Sequence, residues 1–501
     1  MSTTISSPPE AAQSIPLYQR ALSFPVFMAA IFATLIYFFI PQSMADPDIW
    51  WHLRNAQLQI ATHSFIRYDV YSFTALGSPW MNHEWLAELP FYFGWRLLGA
   101  KGLFLVATVA IESILLGVFY LAYRKSRDIK SALIVSPIAG ILATVSYGPR
   151  TLLFGWICLI IELIILERIN ENRSAMWGLP FLFLVWVNTH GSWLIGIVIL
   201  VIFVACGCIR INVGSIEGPA WSPLQRRKLA IVSTLSIGAL FINPYGWHLV
   251  YYPFDLAFRQ KLNISNVEEW YTLDFHSVRG KVLLFSIAAL CLLQVLRPRK
   301  WAPYELALLF IGVYASFTYS RFLFLAAILV MPLLAKSIYG LSPYRPHKNR
   351  PALNALILLA LMPSVVRHTP DEAHILSSQN RKFPDHAMSY LRDFHPKGAV
   401  FTDYLWGGYL IWHARQISVF VDSRVDIFEY NGTFKDYLDA TKLKNTLFVL
   451  DKYRIRYVFF QRDTPLVYFL QHTGEWKVQY QDDSSVLLER AGDSDVPPEI
   501  S

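Results

Sequence analysis

Apolar residues along this chain gather in blocks separated by short basic or aromatic connectors, the pattern of repeated membrane spans. A backbone inside lipid must satisfy its own hydrogen bonds, so the blocks predict helices rather than open sheet. The first block covers about 21–40. Ser43-Met44-Ala45 behind it has the small residues of a signal-cleavage site. The apolar run, however, is longer than a signal-peptide core and near the roughly 20 residues a span needs, so it predicts an uncleaved first helix. Ten further blocks follow at about 102–123, 131–147, 151–168, 176–189, 192–210, 229–243, 282–296, 302–318, 320–338 and 352–366. Basic residues mark alternate ends: Arg124, Lys125, Arg127 and Lys130; Arg168 and Arg173; Arg226, Arg227 and Lys228; Arg297, Arg299 and Lys300; Arg345, Lys348 and Arg350. The positive-inside rule makes all of them cytoplasmic.

The expected class is an α-helical polytopic membrane protein with about eleven transmembrane helices and a small C-terminal α/β extracytoplasmic domain. Residues 1–20 are a cytoplasmic N-terminus, 21–366 the transmembrane domain, and 367–501 the outer domain of a multi-pass protein of the cell inner membrane. Composition agrees: of 501 residues 54% are hydrophobic and 16% charged, with mean hydropathy +0.35, whereas a soluble chain carries about a quarter charged. The net charge of +8 lies at block ends and reads as a topology signal, so no nucleic-acid partner is expected. Cys158, Cys206, Cys208 and Cys291 fall inside apolar blocks without disulfide or metal spacing, and read as small core residues.

Three outer segments are too long to be turns: 41–101, 244–281 and everything after 366. Long structured loops in a membrane protein usually carry function. In the first, residues 83–98 interleave Trp, Leu, Phe and Tyr with Glu84, Glu88 and Arg96, the pattern of an amphipathic helix lying in the interface. The tail alternates β-rich runs (419–422, 457–461, 485–489) with helical ones (435–440, 446–453).

Candidate chemistry concentrates in these segments. Asp46-Pro47-Asp48-Ile49-Trp50-Trp51-His52 places two carboxylates at the membrane surface beside a Trp pair. A carboxylate there serves as a general base toward a hydroxyl, holds a divalent cation, or merely caps a helix end. His83 and Glu84 either complete a mixed nitrogen and oxygen cation site with Asp46 or Asp48, or open the amphipathic helix as cap and first-turn acid. His190 interrupts an apolar hairpin in Asn188-Thr189-His190-Gly191. Arg150 and Arg321 sit at tight outer connections, where an Arg either snorkels to headgroups or clamps a phosphate. Glu269, in Val267-Glu268-Glu269-Trp270, can approach the first-loop acids from above.

This arrangement resembles the GT-C superfamily of integral-membrane glycosyltransferases, which place an acidic catalytic residue in the first outer loop. Asp46 and Asp48 match that motif in type and place. Asp403-Tyr404-Leu405-Trp406-Gly407-Gly408-Tyr409-Leu410, with Val421-Asp422-Ser423-Arg424, is similar to the stretch opening the soluble domain of oligosaccharyltransferases. The chain departs at Tyr147-Gly148-Pro149-Arg150, where oligosaccharyltransferases carry a second acidic pair, and it lacks the tandem Trp that reads a peptide sequon. The resemblance implies a polyprenyl-phosphate-linked sugar donor, membrane lipid around it and an acceptor of unspecified kind. Asp46 or Asp48 would be the catalytic base, and Arg321, then Arg150, would hold the lipid phosphate. His52, His83, Glu84, His190 and Glu269 would shape the pocket, with a divalent cation as an open cofactor expectation. The rival expectations are a lipid-linked-saccharide transporter, for which Glu112 and Glu162 inside apolar blocks speak, and an envelope assembly factor.

Overall fold

The computed structural model describes residues 16–43, 45–169, 174–218, 220–338, 341, 344–345, 349–377 and 382–491. Residues 1–15 of the expected cytoplasmic segment, Met44, Arg173, Lys348 and the chain from 492 onward lie outside the described residues. Among those described, α1 (Phe24–Phe39) is followed by two helices off the expected spans, α2 (Asp48–Thr62) and α3 (Trp85–Leu98). Then come α4 (Ala100–Ser126), α5 (Ile129–Ala143), α6 (Leu152–Arg168), α7 (Leu179–Val187), α8 (Trp193–Cys208) and α9 (Pro223–Ala239). After α9 the chain forms α10 (Trp247–Arg259), α11 (Lys261–Asn266), α12 (Val278–Leu296), α13 (Pro303–Thr318), α14 (Leu323–Leu329), α15 (Met331–Ser337) and α16 (Pro351–His368). Every expected apolar block thus holds helix, and the chain is a multi-pass membrane protein.

The spans are uneven in length. Among the described residues, only α4, α5 with its terminal 3-10 turn, α12 and α16 are both at least 18 residues long and apolar enough to cross a bilayer. The block at 320–338 is not one straight rod: α14 and α15 meet at a 40° bend. Pro332 explains it, since it has no N–H to donate to the carbonyl of residue 328 and its ring crowds that turn. Every residue of α14 is buried, so this broken helix sits in the bundle centre beside α4, whose Ile111, Ile114, Leu115 and Val118 are fully enclosed.

Two expectations are corrected. The helix expected over 83–98 begins at Trp85, and it does not simply lie in the interface. Glu88, Phe91 and Tyr92 are buried and it packs on α2 and α4, leaving Phe93, Leu97 and Leu98 exposed. Cys158 is buried, but Cys208 and Cys291 are exposed on apolar helices rather than packed in a core. Val201 on α8 and Leu292 on α12 face outward as well, which a soluble-core reading of a cysteine cannot anticipate.

The tail carries a four-stranded sheet of β1 (Ala399–Thr402), β2 (Ile455–Gln461), β3 (Trp476–Gln481) and β4 (Ser485–Arg490). Their order is β1-β2-β4-β3, with β1 parallel to β2 and the other pairs antiparallel. Between β1 and β2 run α17 (Tyr404–His413), α18 (Val425–Tyr430), α19 (Thr433–Thr441) and α20 (Thr446–Lys452). Residues 419–422, expected as a β-rich run of the tail, form no strand of this sheet; Val419 instead makes an isolated bridge to the first outer loop. Val419 N–H donates to the Tyr71 carbonyl at 3.3 Å and Phe73 N–H to the Val419 carbonyl at 3.2 Å. That bridge docks the tail on the loop bearing Asp46 and Asp48. A second device is the glycine pair of α17. A Cβ on Gly408 would lie 2.5 Å from the Pro47 carbonyl oxygen, and one on Gly407 2.4 Å from Asp422 Cβ. Only glycine lets α17 approach α2 and the acidic segment so closely.

Candidate active site

A cleft opens between α2, the α5–α6 and α7–α8 connections, α10, the start of α14 and the tail. Asp46, Asp48, His52, His83, Glu84, Arg150, His190, Glu269 and Arg321 all line it. Residues up to 275 positions apart in sequence are brought together because the outer ends of the spans converge there.

Asp46 and Asp48 are held differently. Asp46 Oδ1 accepts from Asp48 N–H at 3.0 Å, and its Oδ2 lies 2.6 Å from Arg150 Nε. Arg150 also pairs with Glu269, bridging the first and second outer loops. Asp48 opens α2, with Trp51 Nε1 donating to it at 3.3 Å and to Ser423 Oγ at 3.1 Å. Burial, and after it the Asp46 charge, push Asp48 up to about 6, against the pull of His52, Ser423 and Arg150. Burial also opposes the ionised form of Glu269, but the Arg150 and Arg321 charges overcome it and hold the carboxyl low.

Arg321 differs from Arg150. Among the described residues it has no hydrogen bond or ion pair, and its guanidinium lies over the Trp270 ring at 4.3 Å. Such a cation is free to bind an anion, and its planar face is positioned by the ring.

Three imidazoles converge on Glu84: His190 Nε2 at 3.1 Å, His52 Nε2 at 3.4 Å and His83 Nε2 at 3.7 Å. Glu84 sits at the N-cap position of α3 but caps nothing. Burial disfavours its charge, yet His83, His190 and His52 hold it down at about 2. His190 accepts Ser192 N–H at Nδ1 (2.9 Å), so its Nε2 carries the proton toward Glu84. Burial, only partly offset by Glu84, lowers His190 to about 4 and keeps it neutral. Burial lowers His52 too, but the Glu88 hydrogen bond at 2.9 Å and the Glu84 charge outweigh it and raise its pKa. Glu88 in turn accepts from Asn55 (3.0 Å) and Asn82 (2.8 Å), locking α2 to α3. Asp46, Asp48 and His83 are therefore not gathered as one ligand set. Among the described residues, no three His, Cys, Asp or Glu side chains are placed to hold a metal ion.

Several wall residues escaped the sequence reading. Tyr252 of α10 donates to Asp426 Oδ2 at 3.0 Å, and both line the cleft. Arg424 is enclosed between Asp422 (2.5 Å) and Asp69 (2.7 Å), with its guanidinium over Trp80 at 4.8 Å. The Val421–Arg424 motif was the only available signal for this clasp; nothing in the sequence pairs it with Asp69.

No family model and no curated protein matches this sequence. Its shape does match solved structures. The oligosaccharyltransferase of Archaeoglobus fulgidus, tethered with an acceptor peptide containing the NVT sequon, superposes with a TM-score of 0.54 at 12% identity, over 86% of this chain and 68% of that one. ArnT from Cupriavidus metallidurans, bound to undecaprenyl phosphate, superposes with a TM-score of 0.52 at 13% identity, over 94% of this chain and 99% of that one. This is the GT-C fold. At such identities the likeness establishes architecture alone, yet the GT-C fold here covers nearly the whole chain, tail included. Arg150, at the connection where the sequence departs from the oligosaccharyltransferase pattern, holds Asp46.

Proposed function

We propose that the chain is a glycosyltransferase that moves a sugar from a polyprenyl-phosphate-linked donor to an acceptor hydroxyl at the outer face of the cytoplasmic membrane. The observation that carries the reading is one cleft lined by a carboxylate that burial and the Asp46 charge push up to about 6, Asp48, and by a cation with no hydrogen bond or ion pair among the described residues, Arg321. ArnT, of the same fold, is solved with undecaprenyl phosphate bound, which supports a lipid-phosphate donor here. In this reading residues 21–366 form the transmembrane domain, and 367–501 close the cleft from outside.

Asp48 is the general base. It takes the acceptor hydroxyl proton as the acceptor oxygen bonds to the sugar's anomeric carbon. The bond from that carbon to the phosphate oxygen breaks, and polyprenyl phosphate leaves with the electron pair. A base whose pKa lies close to working pH is well matched to this step. Arg321 holds the departing phosphate and stabilises its growing charge. Asp46 is a positioning residue: it fixes Arg150, which fixes Glu269, so the second outer loop stays over the site. The Glu84 cluster shapes the wall on the α2–α3 side.

The test is transfer from a pool of polyprenyl-phosphate-linked sugars by purified protein, beside Asp48→Asn, Asp46→Asn and Arg321→Ala. Loss of transfer in Asp48→Asn with normal membrane insertion supports the assignment; full activity in both aspartate variants ends it. The transporter reading retains one observation: Glu162 of α6 is fully buried, and among the described residues neither of its carboxylate oxygens has a hydrogen-bond partner. Transport of a lipid-linked saccharide without transfer, abolished by Glu162→Gln, would establish that alternative.

A further inference from the structure

The helix α10 presents two unlike faces. Tyr252, Pro253 and Leu256 turn into the cleft, and Leu249 is buried beside them. On the opposite side Trp247, Tyr251, Phe254 and Phe258 are 60%, 46%, 41% and 75% exposed. At 3.6 residues per turn these four fall within an arc of about 60°. Arg259, 67% exposed, lies about 100° around the helix from Phe258. Among the described residues these four aromatic rings, flanked by a charge, stand exposed in one narrow stripe, and their ring contacts stay within the helix, Trp247 with His248 and Tyr251.

Continuity identifies the occupant. α10 follows α9, whose C-terminal half falls in the apolar block at 229–243, after one short turn, and Leu235, Ile237, Phe241 and Ile242 of that block are exposed like the stripe that follows them in sequence. Trp, Tyr and Phe on one side of an amphipathic helix are the residues that seat it at the level of lipid headgroups. We propose that the Trp247–Tyr251–Phe254–Phe258 stripe docks in the lipid–water interface of the leaflet onto which the cleft opens. The helix is then a sill, with its outer face in the bilayer surface and its inner face lining the cleft. It holds the cleft mouth at the depth where a lipid phosphate lies. That last consequence rests on the donor assignment above; the docking itself does not.

Depth measurement separates the two. With Cys206, Cys208 and Cys291 replaced by serine, an environment-sensitive fluorophore is attached to Phe258→Cys, Tyr251→Cys or Arg259→Cys in the full chain, reconstituted in phosphatidylcholine nanodiscs. Lipid brominated near the headgroup end of its acyl chains should quench the 251 and 258 labels at least about threefold more than the 259 label, and aqueous iodide should do the reverse. Iodide quenching of 251 and 258 equal to that of 259, or no bromine effect at either, overturns the proposal. A second measurement follows function: in Trp247→Ser/Phe258→Ser, KM for a full-length polyprenyl donor should rise about tenfold while KM for a short-chain, water-soluble donor stays unchanged. An equal change for both donors refutes the sill. A wild-type chain that transfers from neither donor refutes the enzymatic reading, and the quenching result still decides the docking.

Discussion

Two aspartates separated by one proline have different surroundings, and the difference assigns their tasks. Asp46 is committed to Arg150, whereas Asp48 is raised to about 6 by burial and by Asp46. A general base works ionised, so kcat/KM should rise with pH and level off above about 6. In Asp46→Asn the loss of a neighbouring negative charge should move that rising limb to lower pH, which a pH profile of the residual activity would detect. An unmoved limb would mean that the titrating group is not Asp48. Arg321→Ala should cost roughly 10²–10³ in kcat, the usual loss for one donor aimed at developing negative charge. Arg321→Lys should recover only part of it, because an ammonium keeps the charge but not the planar stack on Trp270.

Among elements, the contact of α17 with α2 decides whether the acids sit under a closed cleft. Gly408 makes that contact possible, while Gly407 lets the same helix lie against Val421–Asp422. Gly407→Ala and Gly408→Ala should each destabilise by about 1–3 kcal/mol, as overpacking a tight contact does, readable as a lowered unfolding temperature in detergent. Gly408→Ala should also impair transfer beyond its stability loss, since its new methyl group meets the peptide between Asp46 and Asp48. The glycines were visible in the sequence as part of a tail motif. The purpose of Gly408 was not, because the segment it touches lies some 360 positions earlier.

For the molecule as a whole, the tail is part of the site and not an appendage. Arg424 is clasped by Asp422 from its own segment and by Asp69 from the first outer loop, all buried. Arg424→Met would leave two enclosed carboxylates unpaired and should destabilise the docked tail by about 3–5 kcal/mol. Limited proteolysis after Val366 would show it as faster release of the tail; unchanged release would mean the backbone bridge at Tyr71–Val419 suffices alone. The sequence by itself determined the membrane class and the position of each apolar helix, and it proposed nine side chains that line the cleft, though not Tyr252, Arg424 or Asp426 beside them. These follow from local properties: run length against bilayer thickness, and polar groups stranded at the ends of apolar runs. The bridge of Val419 to the first outer loop, the Arg150 bridge and the Arg424 clasp depended on tertiary structure. Each is a choice among partners distant along the chain, settled by which charges and backbone groups burial forces to pair.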